Sequence, residues 1–341
     1  MQELYVGMDL HSVNTYVGIL EKGSNKRVYQ KRHNNDLQEI LSVLEPFREE
    51  ICGIVIESTY NWYWLVDGLM DAGYTCVHLA NPAAFKQYEG LKYTDDRHDA
   101  FWLAHMLSLR ILPEGYIYPK EYRPVRDLLR KRLFLVRQRT SNILSLESMI
   151  ERQTGRKING SEIKKLRSED IEALFKDKHL VLLAEASINN IEHLSCLIDK
   201  IEKEVRDVVK MHPAFKYLLT VPGIGDILGL TIMLEVGDIK RFPKVGNFSS
   251  YCRCVSSIHK SNGKNKGKGN TKNGNRYLAW AFIEAANYGR RYNKMLNKFY
   301  NRKLAMKNKI VATKALSNKI ARACYYIMRD QIPFKEELLN S

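Results

Sequence analysis

At 341 residues the chain is long enough for two domains, or for one large core with an insertion, and its 45% hydrophobic content excludes a disordered polymer. Fifty-four Lys and Arg against 38 Asp and Glu give a formal charge of +16, which points to a polyanionic partner. No apolar run approaches the roughly 20 residues of a membrane-spanning helix, so no membrane partner is expected, and Met1 to Tyr5 lacks the basic lead of a secretory signal.

Leu4 to Asp9 reads as a short apolar strand that ends on an acid. His11, Ser12 and Asn14 make a turn, and Thr15–Leu20 and Lys26–Arg32 complete a three-stranded meander. Leu37 to Arg48 is expected to be a helix, with Leu37, Ile40, Leu41 and Leu44 on one face. Ile51–Ile56 is nearly all apolar, as for a strand covered on both faces, and it ends at Glu57. A helix over Trp62–Ala72 and a buried strand over Thr75–Ala80 follow, giving a mixed α/β domain over residues 1–120.

Tyr93-Thr94-Asp95-Asp96-Arg97-His98-Asp99-Ala100 opens the next amphipathic helix. Asp96 and Asp99 stand three apart and share a face; Asp95, four before Asp99, can take the place of Asp96. Acids in a first turn often do no more than complement the helix N-terminus. Asp9 and Glu57, however, also fall at element ends, so four carboxylates come from three separate elements. Such a set can hold two hard cations at a phosphodiester, one activating the attacking oxygen and one stabilising the leaving oxygen. All-oxygen ligation favours magnesium over zinc.

From Glu121 the composition turns basic. Arg123, Arg126, Arg130, Lys131, Arg132, Arg137 and Arg139 crowd a helix to about Ile150, whose apolar side packs while the basic side faces solvent or lies along a phosphate backbone. Ile191, Leu194, Ile198, Ile201, Val205 and Val208 form a heptad-like seam on a helix from about Leu182 to Val209. It pairs either with the first helix, as an antiparallel coiled arm over 121–210, or with another subunit. His212-Pro213 marks the boundary to a C-terminal domain over 211–341.

There, Pro222-Gly223-Ile224-Gly225 links two helices, and the N–H groups around Gly223 and Gly225 are candidates for phosphate contact. Residues 251–300 hold 11 Lys and Arg and one acid. Within them, the stretch from Lys260 to Arg276 is expected to be a charged loop on a core, with Lys260, Lys264, Lys266, Lys268, Lys272 and Arg276 as phosphate contacts. Tyr288 and Tyr292, four apart, either stack on bases or pack, and packing is the expectation. Ser261 sits in the loop among cations that can stabilise a pentavalent phosphorus, although a structural loop serine fits the composition as well. The six cysteines are scattered, and the Cys252/Cys254 pair is too close for the usual zinc spacing; a reduced, cytoplasmic protein without zinc is expected.

The whole chain resembles the DEDD transposases, the bridge-RNA-guided insertion-sequence recombinases. The residues that carry this are Asp9 in Val6-Gly7-Met8-Asp9, Glu57 in Glu57-Ser58-Thr59, Asp96 and Asp99, the Pro222–Gly225 turn and Gly274-Asn275-Arg276-Tyr277-Leu278. The resemblance implies an RNase H/RuvC-like sheet domain, a helical arm and a mainly helical C-terminal domain. It also implies Asp9, Glu57, Asp96 and Asp99 as Mg2+ ligands, Ser261 as a nucleophile, and double-stranded DNA and a structured guide RNA as partners. A homodimer or homotetramer would bring both parts to one phosphate.

Overall fold

The computed structural model describes residues 2–24, 26–82, 96–209, 213–256, 259–267 and 273–339. The chain divides into two compact units, Met1–Lys120 and Glu121–Ser341.

In the first unit, β1 (Leu4–Leu10), β2 (Asn14–Glu21), β3 (Arg27–Asn34), β4 (Ile51–Glu57) and β5 (Val77–Ala80) form a sheet in the order β3-β2-β1-β4-β5. The first three pair antiparallel, and β4 and β5 run parallel to β1, which is the mixed sheet of an RNase H/RuvC-like domain. Side chains alternate across a strand. Leu4, Val6, Met8 and Leu10 pack on one face with Ile40 and Leu44 of α1 (Leu37–Leu44) and Leu65, Val66 and Leu69 of α2 (Tyr63–Asp71). On the other face Tyr5 and Val55 meet Phe101, Leu103, Ala104 and Leu107 of α3 (Asp96–Ser108). Both faces are covered, so β1 is buried throughout.

The helix expected over Leu37–Arg48 ends at Leu44 and tightens into a 3₁₀ turn over Glu45–Glu50. Pro46 is the reason, because it donates no backbone hydrogen bond and its ring disfavours a continuing α-turn. The start is fixed by Asp36, whose carboxylate accepts from the Gln38 and Glu39 N–H groups.

The second unit begins with α4 (Arg123–Thr154), two short helices, α5 (Gly160–Ile163) and α6 (Ser168–Leu174), and α7 (Lys178–Val209). The apolar seam pairs within the chain: α4 and α7 lie antiparallel, with Arg132 on Glu202 and Arg139 on Ser195. The seam closes at Val205, and Val208 is 53% exposed. At the far end Ile143, Leu146, Ile150, Ile163, Ile171 and Ile188 make a separate small core under α5 and α6.

The remainder is α8 (Pro213–Leu218), α9 (Asp226–Val236), α10 (Val245–Tyr251), a hairpin of β6 (His259–Ser261) and β7 (Lys264–Gly267), and then α11 (Arg276–Tyr292), α12 (Lys294–Met306) and α13 (Lys309–Asp330). Their core is built around Phe248, Phe282, Ile320 and Tyr325. Cys252 and Cys254 follow α10, buried as Cys324 is, and burial pushes the Cys254 thiol up to about 11. Among the described residues, no helix is long and apolar enough to cross a membrane.

Candidate active site and nucleic-acid surfaces

The sheet register lines up Arg32, Tyr16 and Asp9 across β3, β2 and β1. Glu57 is the next residue on β4 beyond the Met8–Ile56 pair and extends the same row. This row lies on the face covered by α3. Gly7 is what lets the helix down onto it: a Cβ at Gly7 would stand 1.8 Å from the Ala100 carbonyl oxygen. With the helix backbone seated on β1, its first turn brings Asp96 to the end of the strand.

There the Asp9 carboxylate is buried, with the His11 Nε2 3.1 Å from its Oδ2 and 3.4 Å from Asp96 Oδ1. Arg32 donates from Nη2 to Asp96 Oδ2 at 2.6 Å. Glu57 shares a side-chain hydrogen bond with Asp9. Its pKa is pushed up to about 7 by burial first, then by that bond and the charges of Asp9 and Asp99. Asp99 is half-exposed at the cluster's rim, 3.6 Å from His98 Nδ1. The His11 turn is held by its own carbonyl, which accepts from the Asn35 and Asn61 amides at 3.0 and 3.1 Å. Thr15 and Thr59 hydroxyls donate to those two side chains and fix which way each amide points.

The structure thus gathers Asp9, Glu57, Asp96 and Asp99 at one end of the sheet; Asp95 lies outside the described residues. One donor atom each of Asp9, His11 and Asp96 falls within 4.8 Å of the others, a set able to hold a divalent metal ion. Two carboxylates and an imidazole suit such an ion chemically. Sequence alone places His11 in a turn and Arg32 in a strand, with no sign of a role at the carboxylates. The signal for His11 was its place two residues after a strand-end acid; Arg32 is found only through strand register.

Two transposase profiles match the chain in order. One, described as "Transposase", covers residues 6–153 and so all four carboxylates; the other, "Transposase IS116/IS110/IS902 family", covers 215–301. The chain belongs to the DEDD insertion-sequence transposases. It is similar to the "Transposase for insertion sequence element IS1328" of Yersinia enterocolitica, 22% identical over 94% of this chain and 96% of that one. It is also similar to a "Probable family 20 transposase" of Pseudomonas aeruginosa, 25% identical over 69% of this chain and 70% of the relative.

In this transposase much of the basic helix face turns inward, while Lys131 and Arg137 stay exposed. Arg123 and Arg126 are buried, at 4% and 8% exposure. Arg130 grips Glu235 through both ends of its guanidinium, Nε to Oε1 at 2.6 Å and Nη2 to Oε2 at 2.7 Å. Arg132 and Arg139 hold α7. The physical reason is a buried acid, Glu235 on α9, together with an opposing helix whose polar groups need partners. Asn275 donates to Glu235 Oε2 at 2.6 Å and accepts from the Tyr277 and Leu278 N–H groups, so the same buried acid fixes the start of α11.

Just before α11, the segment expected to be a charged loop contains the β6–β7 hairpin. Asn262 and Gly263 both have positive φ, 47° and 72°, between paired Ser261 and Lys264. An Asn-Gly turn of this kind matches the twist of antiparallel strands. Lys264, Lys266 and Arg276 are exposed, and Arg276 stacks on the Tyr277 ring at 4.9 Å. The side chains of Lys260 and Ser261, and all of Lys268 and Lys272, lie outside the described residues. In the Pro222–Gly225 turn, Gly223 has φ +92°, and a Cβ there would stand 2.3 Å from the Gly289 N. Gly225 caps α9, whose first residue, Asp226, pairs with Arg206 at 3.0 Å.

Proposed function

We propose that this transposase cuts phosphodiesters of its insertion sequence at the sheet-end carboxylates, with a divalent cation, magnesium by the preference of carboxylate oxygens, and with water as the attacking group. The observation that carries the reading is the convergence of Asp9, His11 and Asp96 donor atoms within 4.8 Å. Asp9, Asp96 and His11 would hold the cation, and Glu57 and Asp99 border it. Bound there, it supplies Lewis acidity at the scissile phosphate and eases deprotonation of water. Arg32 sets the Asp96 carboxylate, and the Asn35 and Asn61 amides fix the turn that carries His11. Glu57, hydrogen-bonded to Asp9 at the border of the cation site, is placed to exchange a proton with an attacking or leaving oxygen.

A second reading has its own support. The backbone of Ser261 stands at the end of β6, paired with Lys264 across the tight Asn262-Gly263 turn and within the lysine-rich segment. In that reading the Ser261 hydroxyl attacks the phosphodiester, one P–O bond to a DNA sugar breaks, and that sugar oxygen leaves as a hydroxyl carrying the proton given up by the serine. The other DNA end stays on a transient phosphoserine, with the carboxylates assisting. A structured RNA encoded beside the element would direct the choice of site, with the chain acting as a homodimer or homotetramer.

The test is incubation of the purified chain with duplex DNA bearing the element ends, with and without magnesium, followed by a denaturing gel. The first reading expects magnesium-dependent cleavage that Asp9→Asn abolishes, with no protein left on the DNA. A covalent adduct that disappears in Ser261→Ala would replace it with the second. Adding the flanking transcript and scoring strand exchange tests the RNA.

A further inference from the structure

A groove of about 470 Å³ runs along the Pro222–Gly225 turn, lined by Gly223, Ile224, Asp226, Leu228, Tyr288 and Tyr292. Its volume is in the range of ligand sites, about 300–1,000 Å³. The backbone contact of Gly223 with Gly289 creates it. A Cβ on either glycine would come within 2.7 Å of the other segment's backbone, so only this pair lets the turn lie flat on α11. Tyr288 precedes that contact by one residue and Tyr292 follows it by three. The two rings therefore rise from the helix beside the turn, one helical step apart.

Both tyrosines were expected to pack. They do not: Tyr288 is 45% exposed and Tyr292 77%. The Arg291 guanidinium lies 5.7 Å from the Tyr288 ring centroid. Between residues 276 and 309 the chain carries nine Lys and Arg and a single acid, Glu284. Aromatic faces left in solvent within so basic a stretch are suited to nucleic acid and poorly suited to a basic or neutral apolar protein segment.

The lining separates bases from phosphates. Ile224, Leu228 and two phenol rings are surfaces for a flat, apolar face, and the one acid of the lining, Asp226, is paired with Arg206 and offers no cation to a phosphate. A duplex keeps its base faces inside its own stack, and only an unpaired base can offer one to a tyrosine. We propose that the Tyr288/Tyr292 groove holds unpaired nucleotides of the DNA strand, stacking successive bases while neighbouring cations track the backbone. This rests on the reading that the transposase acts on element DNA, and adds to it that part of that DNA is unpaired when bound.

Binding to single-stranded DNA oligonucleotides containing 2-aminopurine, in EDTA, tests the groove apart from the carboxylate chemistry. Base–aromatic stacking is worth about 1–3 kcal/mol per base, so Tyr288→Ala and Tyr292→Ala should each weaken single-strand binding by at least about 5-fold. Both should also relieve the quenching of 2-aminopurine, Tyr→Phe at either position should keep it, and duplex affinity should hold within 2-fold. Unchanged single-strand affinity in both Ala variants, an equal loss on duplex, or a loss confined to an RNA oligonucleotide would overturn the proposal. Because no metal is present, such a result leaves Asp9-dependent cleavage standing. Conversely, loss of the cleavage reading leaves this measurement intact.

Discussion

Gly7 lies directly under the carbonyl of Ala100, so that the backbone of α3 rests on the backbone of β1. This one contact decides whether Asp96, at the first turn of the helix, reaches Asp9, at the end of the strand. Gly7→Ala must push the helix away, at a cost of about 1–3 kcal/mol for overpacking. The variant should melt at lower temperature yet remain folded. Calorimetric titration with Mn2+ should show a larger loss of affinity than the change in stability alone accounts for, because the ligands are pulled apart.

Glu57 gives the metal-free protein a pH dependence of definite sign. Its folded pKa is about 7, above the unfolded value near 4.5. Between these values the folded state binds the extra proton, so stability falls as pH rises from about 4.5 to 7 and is level above that. Melting in EDTA from pH 5 to 8 should show this decline, and Glu57→Gln should flatten it. A wild-type profile that rises over the same interval would contradict the shared proton.

Glu235 binds Arg130 and Asn275 in a largely enclosed site. Removing the acid leaves the part-buried Arg130 guanidinium with Asp127 alone and the Asn275 amide without its acceptor, so Glu235→Ala should cost about 2–3 kcal/mol, read from chemical denaturation. The double variant Arg130→Met/Glu235→Leu should recover much of that, since no charge remains to be satisfied.

The hairpin lysines and the helix arginines should separate in a salt titration of duplex binding. Lys264→Ala and Lys266→Ala, exposed in the structure, should each lower the slope of log K against log salt by roughly 0.9 if each meets one phosphate. Arg123→Met and Arg126→Met, whose side chains are buried, should leave the slope unchanged and lower the melting temperature instead.

The sheet was readable because its signals are local. Ile51–Ile56 is apolar throughout since two layers cover it, and Asp9 and Glu57 stand out by interrupting such runs. Helical spacing puts Asp99 on one face with either Asp95 or Asp96, and it takes Asp9 and Glu57 at other element ends to mark the group as a set. What joins them is not legible: the approach of α3 depends on a missing side chain at Gly7, and Arg32 reaches Asp96 across 64 positions of sequence. The arginines of α4 look alike in sequence, and what sets Arg130 and Arg132 apart is Glu235 and Glu202, which lie 70 or more positions away. The hairpin was hidden because its Asn262-Gly263 turn is flanked by Lys and Asn instead of the alternating β-branched residues that usually announce strands.

The two limbs of the α4–α7 arm keep step: seven residues from Arg132 to Arg139 correspond to seven from Glu202 back to Ser195. Excising one matched heptad from each limb would withdraw the tip by about 10 Å while re-presenting the same seam to itself. The small terminal core, carried on its own helices, would travel with it unchanged. The projection is thus a graduated ruler, whose reach changes in fixed increments without redesign of either end.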